Sequence, residues 1–205
     1  MGIVPTGSGN GLARHLKLPL RVGNALTRLN SASTRCIDTV TMNGEVFLGV
    51  AGVGFDAHIA HAFDTFGVRG LQGYIQLAIR ELPAYKTGHY RVTVDGAIIE
   101  ADAFSVTVAN SAQFGNNAII APKAKIDDGL LEVCIIKKFP VTVLPALITR
   151  MFQGTIDGSQ YAIHLRGKTV HIEQAGTIAH MDGEPTEPGN HITVEVQPQS
   201  LCVLV

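Results

Sequence analysis

The feature that most constrains the fold of this chain is its series of short apolar or alternating segments separated by turn dipeptides. Asn43-Gly44 and Asp95-Gly96 each lie between two such segments, and these dipeptides favour the two-residue turns of β-hairpins. After the first of these turns, residues 45–53 are predicted to be extended. Beyond residue 160, five more short strands are predicted with turn signals at close spacing, at 162–165, 169–173, 177–181, 192–196 and 201–205. Many short strands connected in this way are typical of a sandwich or an open barrel. The sequence therefore predicts a mostly antiparallel β-sandwich.

Two stretches interrupt the β pattern. Apolar residues recur three and four positions apart over 55–66 and 70–82, which predicts two helices, and Pro83 ends the second. Near the start, the end of a buried strand and two short helices are predicted. We therefore expect an α+β fold, with a short α/β remnant over 1–30 and a β-sandwich domain over 31–205 that carries a helical insertion at about 55–83.

Composition excludes some functions and bounds others. Sixteen basic and seventeen acidic side chains give a net charge of −1, and no Lys/Arg stripe offers a surface for nucleic acid. Cys36, Cys134 and Cys202 are odd in number and widely spaced in apolar stretches, which predicts buried free thiols in a reducing compartment. No basic signal region precedes the fold, and no apolar run approaches the roughly 20 residues that span a bilayer. We expect a cytoplasmic protein; if lipid is involved, the protein visits the membrane surface.

The first candidate site is the segment Gly7-Ser8-Gly9-Asn10. Its glycines let the backbone approach an oxyanion without interference from Cβ atoms, and a helix that begins there would direct N–H groups at the anion. The pattern lacks the Gly-Lys-Ser/Thr of a P-loop. A glycine-rich helix entry with Ser8 or Asn10 as the N-cap explains the same residues, so both interpretations stay open.

The second candidate site is Asp182-Gly183-Glu184, which follows an apolar strand and precedes Pro185. Gly183 permits a sharp bend, so both carboxylates could face one pocket. Each would then raise the proton affinity of the other, which helps one of them act as a base toward a hydroxyl. On pattern alone, an ordinary hairpin turn is the commoner explanation. Together with the glycine-rich segment, this acidic segment suggests phosphoryl transfer.

A third candidate site is the turn over 124–130, where a carboxylate is flanked by free carbonyl groups. Hard divalent cations favour such oxygen ligands, although a plain β-turn is again the commoner explanation. His58 and His61 lie three apart on a predicted helix, but no third ligand is suggested. We expect these two histidines to lie on the helix surface or to line a pocket.

Taken in order, four segments resemble motifs of the bacterial lipid kinases related to diacylglycerol kinases and sphingosine kinases. From the first segment to the last, the resemblance extends over almost the whole chain. The segments are residues 3–14 with the glycine-rich turn, the Val-Ala-Gly-Val-Gly-Phe-Asp-Ala block at 50–57, the stretch from 108 to 131 with Asn110, Phe114-Gly115, Pro122 and Asp128-Gly129-Leu130, and Met-Asp-Gly-Glu-Pro at 181–185.

The resemblance implies that residues 1–30 belong to an α/β nucleotide-binding domain and that ATP meets a lipid substrate in a cleft beside the β-sandwich domain. The helical insertion would line the acyl-chain pocket. ATP and Mg²⁺ are the implied cofactors, the lipid is diacylglycerol-like or a long-chain base, and a homodimer is left open. The implied site residues are Gly7, Ser8, Gly9 and Asn10 for the nucleotide, Asp182 as the base with Glu184 supporting it, and the Asp128 carboxylate with the carbonyls of Lys125 and Leu130 for Mg²⁺.

The chain departs from the family pattern in two places. The Gly-Gly-Asp-Gly-Thr loop that holds the ATP phosphates in this family does not occur, so we expect this polypeptide to be inactive alone and to be a piece of a longer enzyme. Gly11 stands where many relatives carry aspartate. A non-catalytic lipid-binding module derived from the family is the alternative function, and an enzyme similar to NAD kinases is a weaker one.

Overall fold

The computed structural model describes residues 1–67 and 70–205. Within these ranges the strands are β1 (Thr34–Met42), β2 (Glu45–Phe47), β3 (Val50–Gly54), β4 (Gly88–Val94), β5 (Ala97–Ala109), β6 (Gln113–Gly115), β7 (Ala118–Ile119), β8 (Leu131–Lys137), β9 (Ala162–Gly167), β10 (Thr169–Gln174), β11 (Ala179–Met181), β12 (Glu184–Thr186) and β13 (His191–Leu204). The α-helices are α1 (Gly11–His15), α2 (Val22–Leu29), α3 (Phe55–Thr65), α4 (Gly70–Glu81) and α5 (Leu144–Gln153), and short 3₁₀ segments lie at Val141–Val143 and Ile156–Gly158.

Eleven strands form one antiparallel, curled sheet, and β6 pairs separately with β7. The path of the sheet is β12-β11-β3-β5-β4-β10-β13-β1-β2, and β8 connects β5 to β9. The long strand β5 pairs with β4 along 97–103 and with β3 and β8 along its later part. The long strand β13 similarly pairs with both β10 and β1. Because β5 and β13 each pair with different neighbours along their length, the sheet curls onto itself. This architecture confirms the predicted sandwich-like class.

The main core lies inside the curled sheet. Strands β4 and β10 alternate between buried and exposed positions, so side chains such as Val92 and Val170 face inward. Strand β8 is buried on both faces, because Val133 belongs to the main core and Cys134 packs with Leu147 of α5 in a second cluster. This double burial explains why residues 131–136 are all apolar except for one glutamate.

A third apolar cluster attaches the N-terminal segment to the sheet. Ala13 and Leu16 at α1 pack with Ile37 of β1 and Val203 of β13. Residues 1–30 therefore share a core with the sheet, which holds the glycine-rich turn beside it.

The helical insertion has the predicted position. Helix α3 packs against β3, β11 and β12, and α4 packs against α3. Among the helices of the described ranges, none has the length and apolar character needed to cross a bilayer.

Two predicted strand boundaries are wrong. Residues 45–53 do not form one strand, because the N–H groups of Leu48 and Gly49 turn toward Asp182 between β2 and β3. Conversely, the segments 192–196 and 201–205 are not separate strands. They are parts of β13, which continues past an irregularity in its pairing with β1, and such a bulge absorbs extra residues without ending a strand.

The prediction of three free thiols is wrong for two of them, so the cysteines no longer argue for a reducing compartment. Cys36 of β1 and Cys202 of β13 form a disulfide, because the antiparallel register places them directly opposite each other with Cα atoms 3.9 Å apart. A separation of 166 residues hides this pairing from sequence inspection. Cys134 is a buried free thiol, as predicted, and burial raises the pKa of that thiol.

Candidate functional site

A cavity of about 320 Å³ lies between the glycine-rich turn and the acidic turn. Gly7 and Asn10 line it together with Asp182, and residues 48–50 and the loop after β5 complete the wall. Among the described residues that line this cavity, Asp182 is the only ionisable one. Two segments from opposite ends of the chain thus border one space.

Asp182 occupies the first position of the two-residue turn between β11 and β12. Asp182 and Gly183 have left-handed backbone angles, with φ of 51° and 91°, as a tight hairpin turn requires. The hairpin interpretation therefore describes the backbone correctly. The carboxylate, however, contacts a different segment. Its Oδ2 accepts the Leu48 N–H at 2.9 Å, and its Oδ1 accepts the N–H groups of Gly49 and Val50 at 2.8 and 2.9 Å.

These three N–H groups make residues 48–50 a backbone anion site for the Asp182 carboxylate. An ionised carboxylate offers about four lone-pair positions. Oδ1 accepts two hydrogen bonds here and Oδ2 accepts one, so one position on Oδ2 can take a further donor. Because the acceptor is charged, a hydrogen bond formed there belongs to the stronger class. The geometry can therefore orient one donor group, such as a hydroxyl, in the cavity.

The break between β2 and β3, residues 48–49, is also held by the loop that follows β5. The Asn110 side-chain amide donates to the carbonyls of Leu48 and Asp38 at 2.9 and 3.1 Å. The backbone N–H groups of Asn110 and Ser111 both donate to the Gly49 carbonyl, at 2.9 and 3.0 Å. The N–H groups that bind Asp182 are thus preorganised before any ligand arrives.

Gly49 is required at this break for reasons of space. A Cβ built on Gly49 would lie 2.6 Å from Asp182 Oδ1 and 3.3 Å from Ser111 Oγ. Any larger residue would have to displace the carboxylate from its N–H donors. The close approach of Asp182 therefore depends on the missing side chain.

His15 of α1 holds the same loop from the N-terminal side. Its Nδ1 accepts the backbone N–H of Ala112 at 3.0 Å, which requires that this nitrogen be unprotonated. Burial, followed by the positive charge of Arg35, lowers the pKa of His15, and the negative charge of Asp127 opposes this only in part. The imidazole is therefore held in its neutral form beside the cavity wall.

The glycine-rich turn is stabilised by its own asparagine. Asn10 accepts the Gly7 N–H at 3.1 Å and donates to the Gly7 carbonyl at 2.7 Å. Asn10 occupies the N-cap position of α1 with φ of 50°, but its side chain makes no capping hydrogen bond. Of the four residues predicted to contact nucleotide, Gly7 and Asn10 line the cavity, whereas Ser8 is exposed and the Gly9 carbonyl accepts a hydrogen bond from Arg14.

Glu184 is not brought to the cavity wall with Asp182. It begins β12 as an exposed residue opposite Met181, and it is not among the described residues that line the cavity. Its supporting role stays a prediction.

The turn predicted to bind metal contains an ion pair. Asp128 Oδ2 lies 2.5 Å from an Arg166 guanidinium nitrogen, and Asp128 Oδ1 accepts the Leu130 N–H at 3.2 Å. In the part of the chain that the structure describes, no cluster of three His, Cys, Asp or Glu residues could hold a metal ion. A Mg²⁺ ion bound by Asp128 and the carbonyls of Lys125 and Leu130 would have to displace the guanidinium. The turn as folded pairs Asp128 with Arg166, and the Mg²⁺ site at Asp128 and the carbonyls of Lys125 and Leu130 stays a prediction.

The helical insertion borders a second, smaller cavity of about 190 Å³, which His58 and Tyr85 line. His58 Nε2 lies 3.1 Å from a Glu81 carboxylate oxygen, and His61 Nε2 lies 3.2 Å from two backbone carbonyl oxygens of β11 and β12. His58 thus lines a pocket, one of the two positions expected for these histidines. The predicted role of the insertion in an acyl-chain pocket stays a prediction.

Sequence reasoning missed Gly49 and Ser111, and it quoted Asn110 only as part of a motif. One signal was present, because the polar pair Asn110-Ser111 directly follows the buried end of β5. No local pattern connects residues 48–50 with Asp182, which lies more than 130 residues later.

Comparison with known proteins identifies the family. The family model described as "YegS C-terminal NAD kinase beta sandwich-like domain" matches residues 49–205, which is more than half of the chain. The chain belongs to this family. A second model, "Diacylglycerol kinase catalytic domain", matches residues 1–42. The two matches adjoin along the chain in the order that the motifs predicted.

Several members of the YegS-like family resemble this chain over nearly its whole length. A "Probable lipid kinase YegS-like" protein of Pseudomonas aeruginosa (strain UCBPP-PA14) is 28% identical over 99% of this chain and 67% of its own length. A protein of the same name from Yersinia pestis (strain Pestoides F) is 26% identical, with 98% and 68% covered. A crystal structure from Bacillus anthracis str. Sterne, described as "a putative diacylglycerol kinase", shares the fold with a TM-score of 0.77 at 24% identity, over 98% of this chain and 67% of that one. The chain thus spans about two thirds of these relatives, and the resemblance to bacterial lipid kinases is confirmed.

Proposed function

We propose that this chain is the C-terminal, substrate-binding portion of an ATP-dependent lipid kinase that phosphorylates a lipid hydroxyl. The observation that carries the proposal is the Asp182 carboxylate, which three N–H groups hold at the wall of a cavity that the glycine-rich turn also borders. Apolar residues such as Val4 and Phe114 line the same cavity and suit the hydrocarbon next to an alcohol. The relatives named as probable lipid kinases support this assignment.

In this proposal Asp182 orients the lipid hydroxyl through the free position on Oδ2 and accepts its proton as the oxygen attacks. The three N–H partners stabilise the charged carboxylate, so its main contribution is a fixed orientation of the hydroxyl. Glu184 would support Asp182 through its charge. Bound ATP, with Mg²⁺, would supply the phosphoryl group, and the turn at Gly7 and Asn10 would contact the nucleotide.

The charge of the cavity supports the expectation that the chain is inactive alone. Among the described residues that line it there is no Lys or Arg, although phosphoryl transfer relies on cations to neutralise phosphate charge. We therefore propose that this portion orients the lipid and lacks turnover by itself. We also propose that it meets its lipid from the cytoplasm at the membrane surface. The same observation favours the second candidate, a non-catalytic lipid-binding module.

The test measures binding of a short-chain diacylglycerol in nonionic micelles by titration calorimetry. We expect Asp182→Ala to weaken binding about tenfold, or about 1.4 kcal/mol, because the hydroxyl loses its charged acceptor. Asp102→Ala is the matched control, since Asp102 is an exposed carboxylate paired with His89 on the sheet surface. The lipid affinity of this variant should equal that of the wild type. Equal affinity in all three proteins would contradict the proposal.

The two candidates differ in their response to nucleotide. A kinase portion should show changed NMR shifts at Gly7 and Asn10 when ATP and Mg²⁺ are added, because the turn would contact the nucleotide. A lipid-binding module should bind the lipid but show no such change.

A further inference from the structure

Helix α5 exposes a stripe of apolar side chains. Ile148 and Phe152 are 44% and 47% exposed, and Pro145 is exposed on the preceding turn. These three residues recur three and four positions apart and so share the outer face of the helix, and Val141, which is 64% exposed, continues the stripe just before the helix begins. The inner face is apolar too, because Leu147 packs in the second cluster. The face that meets solvent, where a surface helix normally carries polar side chains, is thus apolar along its length.

The segment that carries this α5 stripe is basic. Residues 133–156 contain Lys137, Lys138 and Arg150 and no Asp or Glu, which gives a charge of +3 in a chain whose net charge is −1. Among the described residues, no ion pair includes any of these three cations. Arg150 donates one hydrogen bond, to the backbone carbonyl of Thr155 at 3.1 Å. The stripe therefore lies beside positive charge that no carboxylate of the described residues neutralises.

The carboxylates nearest to the segment are already engaged. Glu132, directly before it, is buried and accepts hydrogen bonds inside the protein. Asp157, directly after it, lies 3.0 Å from the Lys123 ammonium nitrogen. Asp102, on the strand that pairs with β8, lies 3.0 Å from a ring nitrogen of His89. An anionic partner would thus meet the cations beside the stripe without displacing an existing ion pair.

We propose that the α5 stripe, with the cations beside it, docks this chain onto an anionic lipid bilayer. A helix that lies in the membrane interface combines an apolar face, which enters the boundary between headgroups and acyl chains, with Lys and Arg that contact anionic lipids. A second copy of the chain fits less well, because a two-fold interface would bring the same three cations together across it. The proposal rests on the part of the proposed function that brings the chain to a membrane, and it names the surface that makes the contact.

The docking surface adjoins the elements that wall the Asp182 cavity. Helix α5 packs against β7, and a Cβ on Gly154 at the end of the helix would lie 3.3 Å from Ile119 of β7. Strand β7 pairs with β6, where Gln113 lies opposite Ile119, and Gln113 and Phe114 line the cavity. A single hairpin thus separates α5 from the cavity, so docking through α5 would hold the cavity close to the lipid.

The first test uses the absence of tryptophan from this sequence. In Phe152→Trp the new residue is the only tryptophan, so its fluorescence reports whether the stripe enters lipid. Vesicles of phosphatidylcholine and phosphatidylglycerol should shift its emission to shorter wavelength. Ile98→Trp is the matched control, because Ile98 is 54% exposed near the start of β5, at the end opposite to the loop that borders the cavity. Its emission should stay unchanged.

The second test measures the affinity for vesicles by cosedimentation. We expect Ile148→Glu to weaken binding to anionic vesicles at least about tenfold, because a charge replaces an apolar side chain that enters the lipid. Ile98→Glu makes the same change of charge outside the stripe and should bind like the wild type. Lys137→Gln combined with Lys138→Gln should weaken binding to anionic vesicles at least about tenfold, since each cation at such a surface contributes a factor of about five. Binding of this double variant to vesicles of phosphatidylcholine alone should equal that of the wild type.

Several results would overturn the docking proposal. Vesicle-bound Phe152→Trp that keeps its emission wavelength would show that another surface meets the lipid. An emission shift that depends on protein concentration without vesicles, together with a dimer in sedimentation, would make the stripe an interface between copies. Equal losses in Ile148→Glu and Ile98→Glu, equal binding of the wild type to neutral and anionic vesicles, or no binding at all would also refute it.

The proposed function is judged separately. Ile148 is not among the described residues that line the Asp182 cavity, so Ile148→Glu should bind the short-chain diacylglycerol in nonionic micelles as tightly as the wild type. A wild type that binds vesicles but not this lipid contradicts the proposed function and leaves the docking surface standing. A wild type that binds this lipid but not the vesicles does the reverse.

Discussion

Replacing Gly49 with alanine tests whether Asp182 is held as the structure shows. The new Cβ would lie 2.6 Å from Asp182 Oδ1, whereas ordinary contact begins at 3.4 Å, so the carboxylate would have to retreat by the difference of 0.8 Å. Its bonds to the N–H groups of Gly49 and Val50, now 2.8 and 2.9 Å, would then be broken or severely weakened. The backbone at Gly49 lies outside the left-handed region, so alanine introduces no backbone strain.

The expected cost follows from those two hydrogen bonds. Bonds to a charged group contribute about 1.5–3 kcal/mol each, and the lower value applies to these half-buried ones, which gives about 3 kcal/mol. Gly→Ala also reduces the entropy of the unfolded chain and returns about 0.4–1 kcal/mol. The net loss is about 2 kcal/mol, or about 4–8 °C in Tm for a chain of this length. Urea unfolding followed by circular dichroism measures it.

A double-mutant cycle decides whether the loss acts through Asp182. In the Asp182→Ala background the acceptor is absent, so only the entropic gain remains and Gly49→Ala should stabilise the chain by about 0.4–1 kcal/mol. The coupling energy should therefore be about 3 kcal/mol, the cost of the two hydrogen bonds. Gly23→Ala in α2 is the matched control, because a Cβ there meets no atom within 4 Å and should stabilise the helix by about 0.5–1 kcal/mol. If Gly49→Ala costs the same with and without Asp182, the reasoning about this site is refuted.

Three further predictions concern other parts of the chain. Arg166→Ala removes the cation beside Asp128, so Mg²⁺ should raise the urea midpoint of the variant but not of the wild type; an equal response would contradict the assignment of Arg166 as the partner. Reduction of the Cys36–Cys202 disulfide should lower the free energy of unfolding by about 2–5 kcal/mol, because the two cysteines, 166 residues apart, are no longer joined in the unfolded chain. In the Cys36→Ser variant, reductant should leave the free energy of unfolding unchanged. Because the native pKa of His15 lies below 6.5, the unfolded chain gains this proton first on acidification, so stability should decline as the pH falls from about 6.5 toward the lower native pKa. His15→Gln should remove that part of the pH dependence, and an unchanged profile would show that His15 is not responsible.

The turns, helices and strands that depend on residues close together in the chain were predictable from the sequence. The dipeptide Asn43-Gly44 adopts left-handed angles with φ of 49° and 91° and joins β1 to β2, because asparagine and glycine tolerate that conformation. The helices of the insertion follow from the spacing of their apolar residues. The strand at 131–136 follows from an apolar run whose residues face two cores.

The candidate site was predictable only in part. The types of residues in the glycine-rich and acidic turns suggested a shared chemistry, and the structure places both turns on one cavity. The partners of Asp182 were not predictable, because hydrogen bonds to backbone N–H groups carry no residue-type signal. Nor does the sequence distinguish an aspartate that meets Mg²⁺ from one that meets Arg166 across the sheet.

The amino-acid order alone thus determined the hairpins, the helices and the chemical character of each turn, since these depend on backbone preferences and apolar spacing within a few residues. Only the tertiary structure decided that Asp182 reaches residues 48–50, that Glu184 is not among the described residues lining the cavity, and that two distant cysteines stand opposite each other. The physical reason is that strand register in a curled sheet is set by the packing of whole faces, which brings together residues that have no influence on each other along the chain.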